Sequence, residues 1–344
     1  MILPSWAESF AERLGETVSA VEQVARHALG TTRVWRVKAE SGREYAVKQH
    51  IYRAAQTRGG HDALETEAAV LTLLEEMRAP TPAVKAVDME AGYLASEWIR
   101  GAALDDLAQR DPDAARKAAP KALAALEQIE RALEARISET EPFAFDHDYD
   151  AYLGADFAHI LTEARIGYNA LCERVGAEPP AGNAEWEAVY AAIQNAQPTM
   201  GSLDYNARNL LITPSRAVYV DFSAVGWDWT ERRLAHYLYA LGARDPSGSF
   251  VCALTPEALE GVVFFEPSAL EAHLFVFQCL TAERLLRGGL APPADAENAH
   301  DQYWQNRMKR FEQTAQAVAY GALTDFEGTA RLRSAAAEKI GEKR

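Results

Sequence analysis

Between residues 21 and 50 three segments rich in β-branched and aromatic residues follow one another closely: 21–29, 34–39 and 44–50. Only Gly30 and the Ser41-Gly42 pair punctuate them, as turn signals. Such connections leave no room for a crossover helix, so neighbouring strands must run antiparallel. After a short helix-like opening, the chain therefore runs as a meander. Residues 61–77 follow, with Leu64, Ala68, Leu71 and Leu74 at helical spacing. Ala79-Pro80-Thr81-Pro82 stops that helix. Two more strands are expected near 83–88 and 92–99.

After Gly101 the composition changes, and Ala, Leu and Glu dominate. Helices are expected over 111–136, with a kink at Pro120, and over 156–175, 184–195, 231–241, 268–287 and 295–320. One island interrupts them: 210–213 and 217–221 read as a small apolar hairpin around Pro214-Ser215. No internal repeat or low-complexity linker divides the chain. The boundary at 96–101 therefore reads as a hinge between packed lobes, 1–98 and 99–344. A length of 344 residues fits two lobes sharing a cleft, and 48% hydrophobic residues exclude wholesale disorder.

Charge and cysteine usage narrow the function classes. Lys plus Arg total 35 against 50 for Asp plus Glu, a net charge of −15. That balance argues against a nucleic-acid partner, because neutralising phosphates needs surplus Lys and Arg. It suits solubility, and it suits a cationic ligand. Cys172, Cys252 and Cys279 are odd in number, far apart and without a CxxC, which speaks against a disulfide framework or structural zinc. The N-terminus lacks the basic and apolar regions of a signal peptide. No stretch approaches the ~18 apolar residues of a membrane span. A reducing, cytoplasmic compartment is expected, with no membrane partner.

The most informative stretch is GSLDYNARNLLITPSRAVYVDFSAVGWDW, residues 201–229. Asp204 and Asn209 lie five apart on a loop, and Asp221 ends the hairpin. Short strands between them would fold the chain back and bring all three together. A carboxylate plus a carboxamide at a strand end is a hard-oxygen site suited to Mg²⁺. The other carboxylate is left free to orient a hydroxyl and accept its proton, and phosphoryl transfer needs this set. On its own D-x4-N is ordinary loop chemistry, and Asp221 alone reads as a cap. Upstream, EYAVKQH places Lys48 mid-strand after Ala46 and Val47. Such a lysine either faces outward on an edge strand or meets a buried or ligand anion. LETEAAVLTLL offers Glu65 and Glu67 as partners. Glu67 is preferred because it directly precedes the apolar run AAVL, and its separation from Lys48 suits a strand-to-helix ion pair. Before them, the turn in ALGTTRVWRV, with Gly30, Thr31 and Thr32, would drape N–H groups over phosphates. With one glycine, it is equally an ordinary hairpin turn.

Taken in order, these segments resemble the aminoglycoside phosphotransferase and choline kinase group, the protein-kinase-like phosphotransferases of small molecules. That group has a strand lysine, a helix glutamate, a hinge, a catalytic loop "HGDxHxxN" and a metal aspartate in "hDF" or "hDW". Here AVK at Lys48, EAAVL at Glu67, SEWIRG at 96–101, the loop from Asp204 to Asn209 and VDF at Asp221 match it. The likeness covers roughly residues 20 to 240. It implies an α+β two-lobed kinase-like fold: a small antiparallel-sheet N-lobe with one helix and a larger, mainly helical C-lobe. It also implies ATP and Mg²⁺. Adenine would lie against the backbone at Glu97 to Ile99, with the turn at Gly30, Thr31 and Thr32 over the phosphates. Lys48, held by Glu67, would orient the phosphates. Asn209 and Asp221 would hold the metal, and Asp204 would accept the hydroxyl proton of a small-molecule acceptor.

Three positions depart from the pattern. Ser202 replaces the first histidine of the catalytic loop, Leu203 the following glycine, and Asn206 the second histidine. The acceptor is expected to be an amino sugar, an aminoglycoside or a choline-like amino alcohol. Candidate contacts are Asp146, Asp148, Tyr149, Asp150 and Tyr152, in a segment that equally reads as a solvated helix start, together with Trp227 and Trp229, which are also good core residues. The C-terminal AAAEKIGEKR is unlike the acidic edge of some antibiotic-modifying kinases. Two rivals stand beside this reading. A protein kinase would need a longer docking segment after Asp221. A catalytically silent scaffold of the same fold would be compatible with Ser202.

Overall fold

The computed structural model describes residues 4–26, 32–51, 53–145, 157–180, 182–239, 251–291 and 301–342. The N-terminal sheet holds β1 (Val18–Arg26), β2 (Thr32–Ala39), β3 (Glu44–His50), β4 (Val84–Asp88) and β5 (Tyr93–Glu97). Their order is β1-β2-β3-β5-β4, antiparallel throughout. Period-two alternation sorts β3 between two faces. Tyr45 and Val47 join a cluster on one side with Trp6 and Phe10, whereas Ala46 and Lys48 face a cavity on the other.

Trp6 and Phe10 belong to the start of a short helix, α1 (Ala7–Leu14). α1 falls in the expected helix-like opening, and the helix expected after the meander is α2 (Ala63–Glu76). A capping box opens α2: Asp62 accepts from the N–H groups of Leu64 and Glu65, and Glu65 accepts from Asp62 N–H. Its inner face, with Leu64, Leu71 and Leu74, joins a core shared with the second lobe.

That lobe begins with β6 (Ala102–Ala103), α3 (Leu104–Arg110) and α4 (Pro112–Ala135). Helix α4 runs on through Pro120, and its Leu123, Leu126, Ile129 and Leu133 pack in the shared core. Helices α5 (Phe157–Val175) and α6 (Ala184–Asn195) lead into the polar loop region. There β7 (Thr199–Ser202), β8 (Leu210–Ile212), β9 (Ala217–Tyr219) and β10 (Val225–Asp228) form two small sheets. β8 and β9 make the expected hairpin, with β6 on its other edge. β7 pairs with β10, a contact absent from the sequence reading because both strands are four residues long.

Helices α7 (Thr230–Leu238), α8 (Pro267–Arg287), α9 (Asp301–Tyr320) and α10 (Glu327–Glu342) complete the lobe. α8 is buried on almost every side and forms the centre of a second core with α5, α6, α9 and α10. α10 occupies the C-terminal stretch that the sequence reading left without structure. No helix among the described residues is long and apolar enough to cross a membrane.

Candidate active site

A cavity of about 450 Å³ lies between the lobes. Val34, Ala46 and Leu94 roof it from the sheet, and Leu211 and Val220 floor it from the hairpin. Glu97 and Ile99 line its hinge edge, while Lys48, Glu67, Asn209 and Asp221 line its polar end. Asp105, Asp106 and Arg208 line it as well, and apolar walls with a few convergent polar groups suit a small-molecule ligand.

Lys48 lies opposite Val34 and Leu94 in the sheet register, in a central strand and not on an edge. Its Nζ donates to Glu67 Oε1 at 3.0 Å and to Asp221 Oδ1 at 2.6 Å. Burial alone would lower the ammonium's pKa, but Asp221 and Glu67 together hold it above the ordinary lysine value. Glu65 is engaged in the capping box and Glu67 points inward, so Lys48 meets Glu67. His50, two residues further along the same face of β3, places Nε2 2.9 Å from Glu67 Oε2. The sequence reading overlooked His50, although period-two spacing from Lys48 signals it.

Asp221 lies two residues beyond β9 in a left-handed conformation, φ 70°. Ser223 Oγ donates to Asp221 Oδ1 at 2.6 Å. Burial raises the Asp221 carboxyl, yet Lys48 and Ser223 outweigh it and hold the pKa at about 2. Asn209 ends a single 3-10 turn, Ala207–Asn209, and its Nδ2 donates to Asp204 O at 3.1 Å. That bond leaves the carboxamide oxygen as the remaining donor to the cavity. An anionic carboxylate and a carboxamide oxygen lining one cavity form a hard donor set that fits Mg²⁺.

Asp204 opens the loop and is exposed. Desolvation and the like charge of Asp221 raise its pKa above the ordinary aspartate value, and Asp204 is not among the residues that line the cavity. Ser202, in the position of the missing histidine, ties the two aspartate segments together. Its Oγ donates to Asp221 O at 3.3 Å and accepts from Asp204 N at 3.2 Å.

A buried arginine supports this loop, and the sequence reading missed it. Arg233 is fully buried. Its guanidinium donates to the carbonyls of Thr199, Ser202, Gly226 and Asp228, to Thr199 Oγ1 and to Glu130 Oε1. It therefore staples β7 to β10 on either side of Asp204 and Asp221. A Cβ on Gly201 would lie 2.6 Å from Arg233 Cζ, so only glycine leaves it room. The Arg232-Arg233 pair among the apolar positions Leu234, Ala235, Tyr237 and Leu238 of α7 was the available signal.

Gly30 and Thr31 lie outside the described residues, and of Thr32 only its place at the start of β2 is described. The acidic-aromatic acceptor segment, Asp146 to Tyr152, also lies outside them. Trp229 is a core residue packed on Phe157 and His273, and Trp227 packs against the shared core. Neither lines the cavity.

A model of the phosphotransferase enzyme family matches residues 23–259. No curated protein matches the chain. Similar solved structures include choline kinase LicA from Streptococcus pneumoniae, at 14% identity over 91% of this chain and 100% of that one, TM-score 0.44. Plasmodium vivax ethanolamine kinase is 12% identical over 84% and 81%, TM-score 0.43. Macrolide 2'-phosphotransferase MphH from Brachybacterium faecium is 14% identical over 96% of each chain, TM-score 0.43.

Proposed function

Because the chain belongs to the phosphotransferase enzyme family, we propose that it moves the γ-phosphoryl group of ATP to a hydroxyl of a small molecule. The observation that carries this reading is Lys48, bonded at once to Glu67 and Asp221 in the cavity between the lobes. Adenine would lie between the sheet and the hairpin, against the hinge backbone at Glu97 and Ile99. Gly30, Thr31 and Thr32 would cover the phosphates. Residues 1–98 would then be the nucleotide-binding lobe, and 99–344 the catalytic and acceptor-binding lobe.

In this reading Lys48 orients the α- and β-phosphates, and Glu67 keeps its ammonium in place. Asn209 and Asp221 would hold Mg²⁺, which when bound neutralises charge on the transferring phosphates. Asp204 accepts the acceptor's hydroxyl proton, and its raised pKa brings it nearer the range useful for a general base. Ser202 and Arg233 hold the two aspartate segments in register, as befits a reaction whose catalysis is mostly positioning. The acceptor would be an amino sugar, an aminoglycoside or a choline-like amino alcohol. α7 begins at Thr230, nine residues after Asp221, which leaves little chain for a peptide-docking platform and favours a small acceptor. The free thiols of Cys172, Cys252 and Cys279 fit a reducing compartment, and a cytoplasmic location is part of this reading.

The test is calorimetric titration with Mg·ATP, followed by a phosphorylation screen over those acceptor classes. Wild type is expected to bind Mg·ATP and phosphorylate one of them. Asp221→Asn is expected to abolish turnover while circular dichroism stays unchanged. Asp221→Asn with near-normal turnover defeats the metal assignment, and a wild type that binds no nucleotide defeats the enzyme reading in favour of a silent scaffold.

A further inference from the structure

Helix α2 carries Glu67, and the chain just before it is bonded to the other lobe. Arg58 N–H donates to Ala144 O at 2.9 Å, and Gly59 N–H to Pro142 O at 2.8 Å. Thr57 and Phe145 form an antiparallel bridge. The His61 ring stacks on Phe143 at 4.4 Å, and Arg58 pairs with Glu141 at 3.2 Å. The receiving segment is itself joined to β10, since Phe145 N–H donates to Val225 O at 2.8 Å and Ala144 bridges Val225.

These contacts close a ring. It runs from Asp221 along four residues to Val225, across to 144–145, across again to 57–59, through the Asp62 cap into α2, and from Glu67 to Lys48 and back to Asp221. The ring crosses between the lobes twice, at Lys48–Asp221 and at 57–61. At its other end α2 is tied as well, by Arg136 to Glu76 at 3.4 Å. A Cβ on Gly59 would lie 2.7 Å from Pro142 O, a backbone atom, so a side chain there would prise the two segments apart.

We infer that residues 57–61, gripped by 141–145, form a clasp whose task is to position Glu67 against Lys48, and that Gly59 and Phe143 are positioning residues for this pair. The inference rests on the reading of Lys48 and Glu67 as the ATP-orienting pair. A helix held at both ends by the opposite lobe keeps its glutamate in place without help from a ligand. The Lys48–Glu67 pair is therefore preformed.

Hydrogen exchange on the full chain without nucleotide tests the clasp itself. Gly59→Val, and more mildly Phe143→Ala, are expected to speed exchange of the α2 amides from Leu64 to Ala68 by about tenfold or more, with α8 unchanged. A double-mutant cycle tests the route through Glu67. Gly59→Val should weaken Mg·ATP binding about tenfold in the native background, and less than about twofold beside Glu67→Gln. Unchanged α2 exchange in both variants overturns the clasp. Additive losses overturn the route through Glu67, because a merely structural effect would persist without that carboxylate. If wild type binds no Mg·ATP, the nucleotide reading and the positioning role fall together, while the exchange arm still decides whether the clasp holds α2.

Discussion

Asp204 and Asp221 carry the same side chain in opposite surroundings. Asp221 has Lys48 and Ser223 on one oxygen and is held at about 2. At Asp204 desolvation and the charge of Asp221 outweigh Asn209, Lys48 and Arg208 and raise it. Two carboxylates driven apart in this way mark different roles, one permanently charged and one able to take a proton. Asp204→Asn keeps shape and removes charge. It should lower kcat by about 10²–10⁴, with the Mg·ATP dissociation constant little changed, as stopped assays and calorimetry would show. The pH profile follows from the sign of the shift. Asp204 works as a base only when ionised, so kcat should fall with falling pH at a higher pH than an ordinary aspartate would give. An acid limb that persists unchanged in a residual Asp204→Asn activity would assign the limb to another group.

At the scale of elements, the pairing of β7 with β10 depends on one arginine and one glycine. Gly201→Ala should destabilise the fold by about 1–3 kcal/mol, as overpacking does, because Arg233 is bonded on every side and cannot retreat. Denaturant unfolding would measure the loss, and an unchanged midpoint would show that the guanidinium has slack. The first turn of α7 holds a second case. Glu231 is buried, its Oε1 accepts from Glu266 N–H at 2.7 Å and its Oε2 lacks a hydrogen-bond partner among the described residues. Burial lifts its pKa to about 7. An acid raised in the fold favours the protonated native state, so stability is fullest below the unfolded value near 4.5 and declines as pH rises toward 7. The loss is of order 3 kcal/mol. Glu231→Gln should flatten that decline in chemical denaturation between pH 5 and 8. A variant that loses stability as steeply as wild type would place the titration elsewhere.

Across the whole molecule, Lys48–Asp221 is an ion pair between lobes. Asp221 is depressed in the fold, so its contribution is present above the ordinary carboxylate range and fades as pH falls toward about 2. The loss amounts to about 2 kcal/mol. Lys48→Met removes the counter-charge and should shrink that acid-dependent loss, as read by unfolding between pH 5 and 2.5. An identical acid slope in both proteins would mean that the pair does not couple the lobes.

The antiparallel meander follows from the sequence alone, because connections of four residues between the expected strands leave no room for a crossover helix. β3 at 44–50 and the hairpin around Pro214-Ser215 are found where alternation and turn residues put them. The order lysine, glutamate, hinge, Asp-x4-Asn, Asp-Phe was legible too, since each depends on neighbours within a few residues. Only tertiary structure decided the rest. Whether Glu65 or Glu67 meets Lys48 depends on the rotation of α2, which the Asp62 cap consumes by claiming Glu65. Arg233, Gly201 and the 57–61 clasp were invisible because their partners lie far along the chain or in strands too short to show a period. Trp229 was open to either role until β10 turned its ring into the core. Local propensity and spacing write a chain's elements and their order, whereas long-range contacts select which of two adjacent carboxylates, or which face of a strand, reaches the cleft.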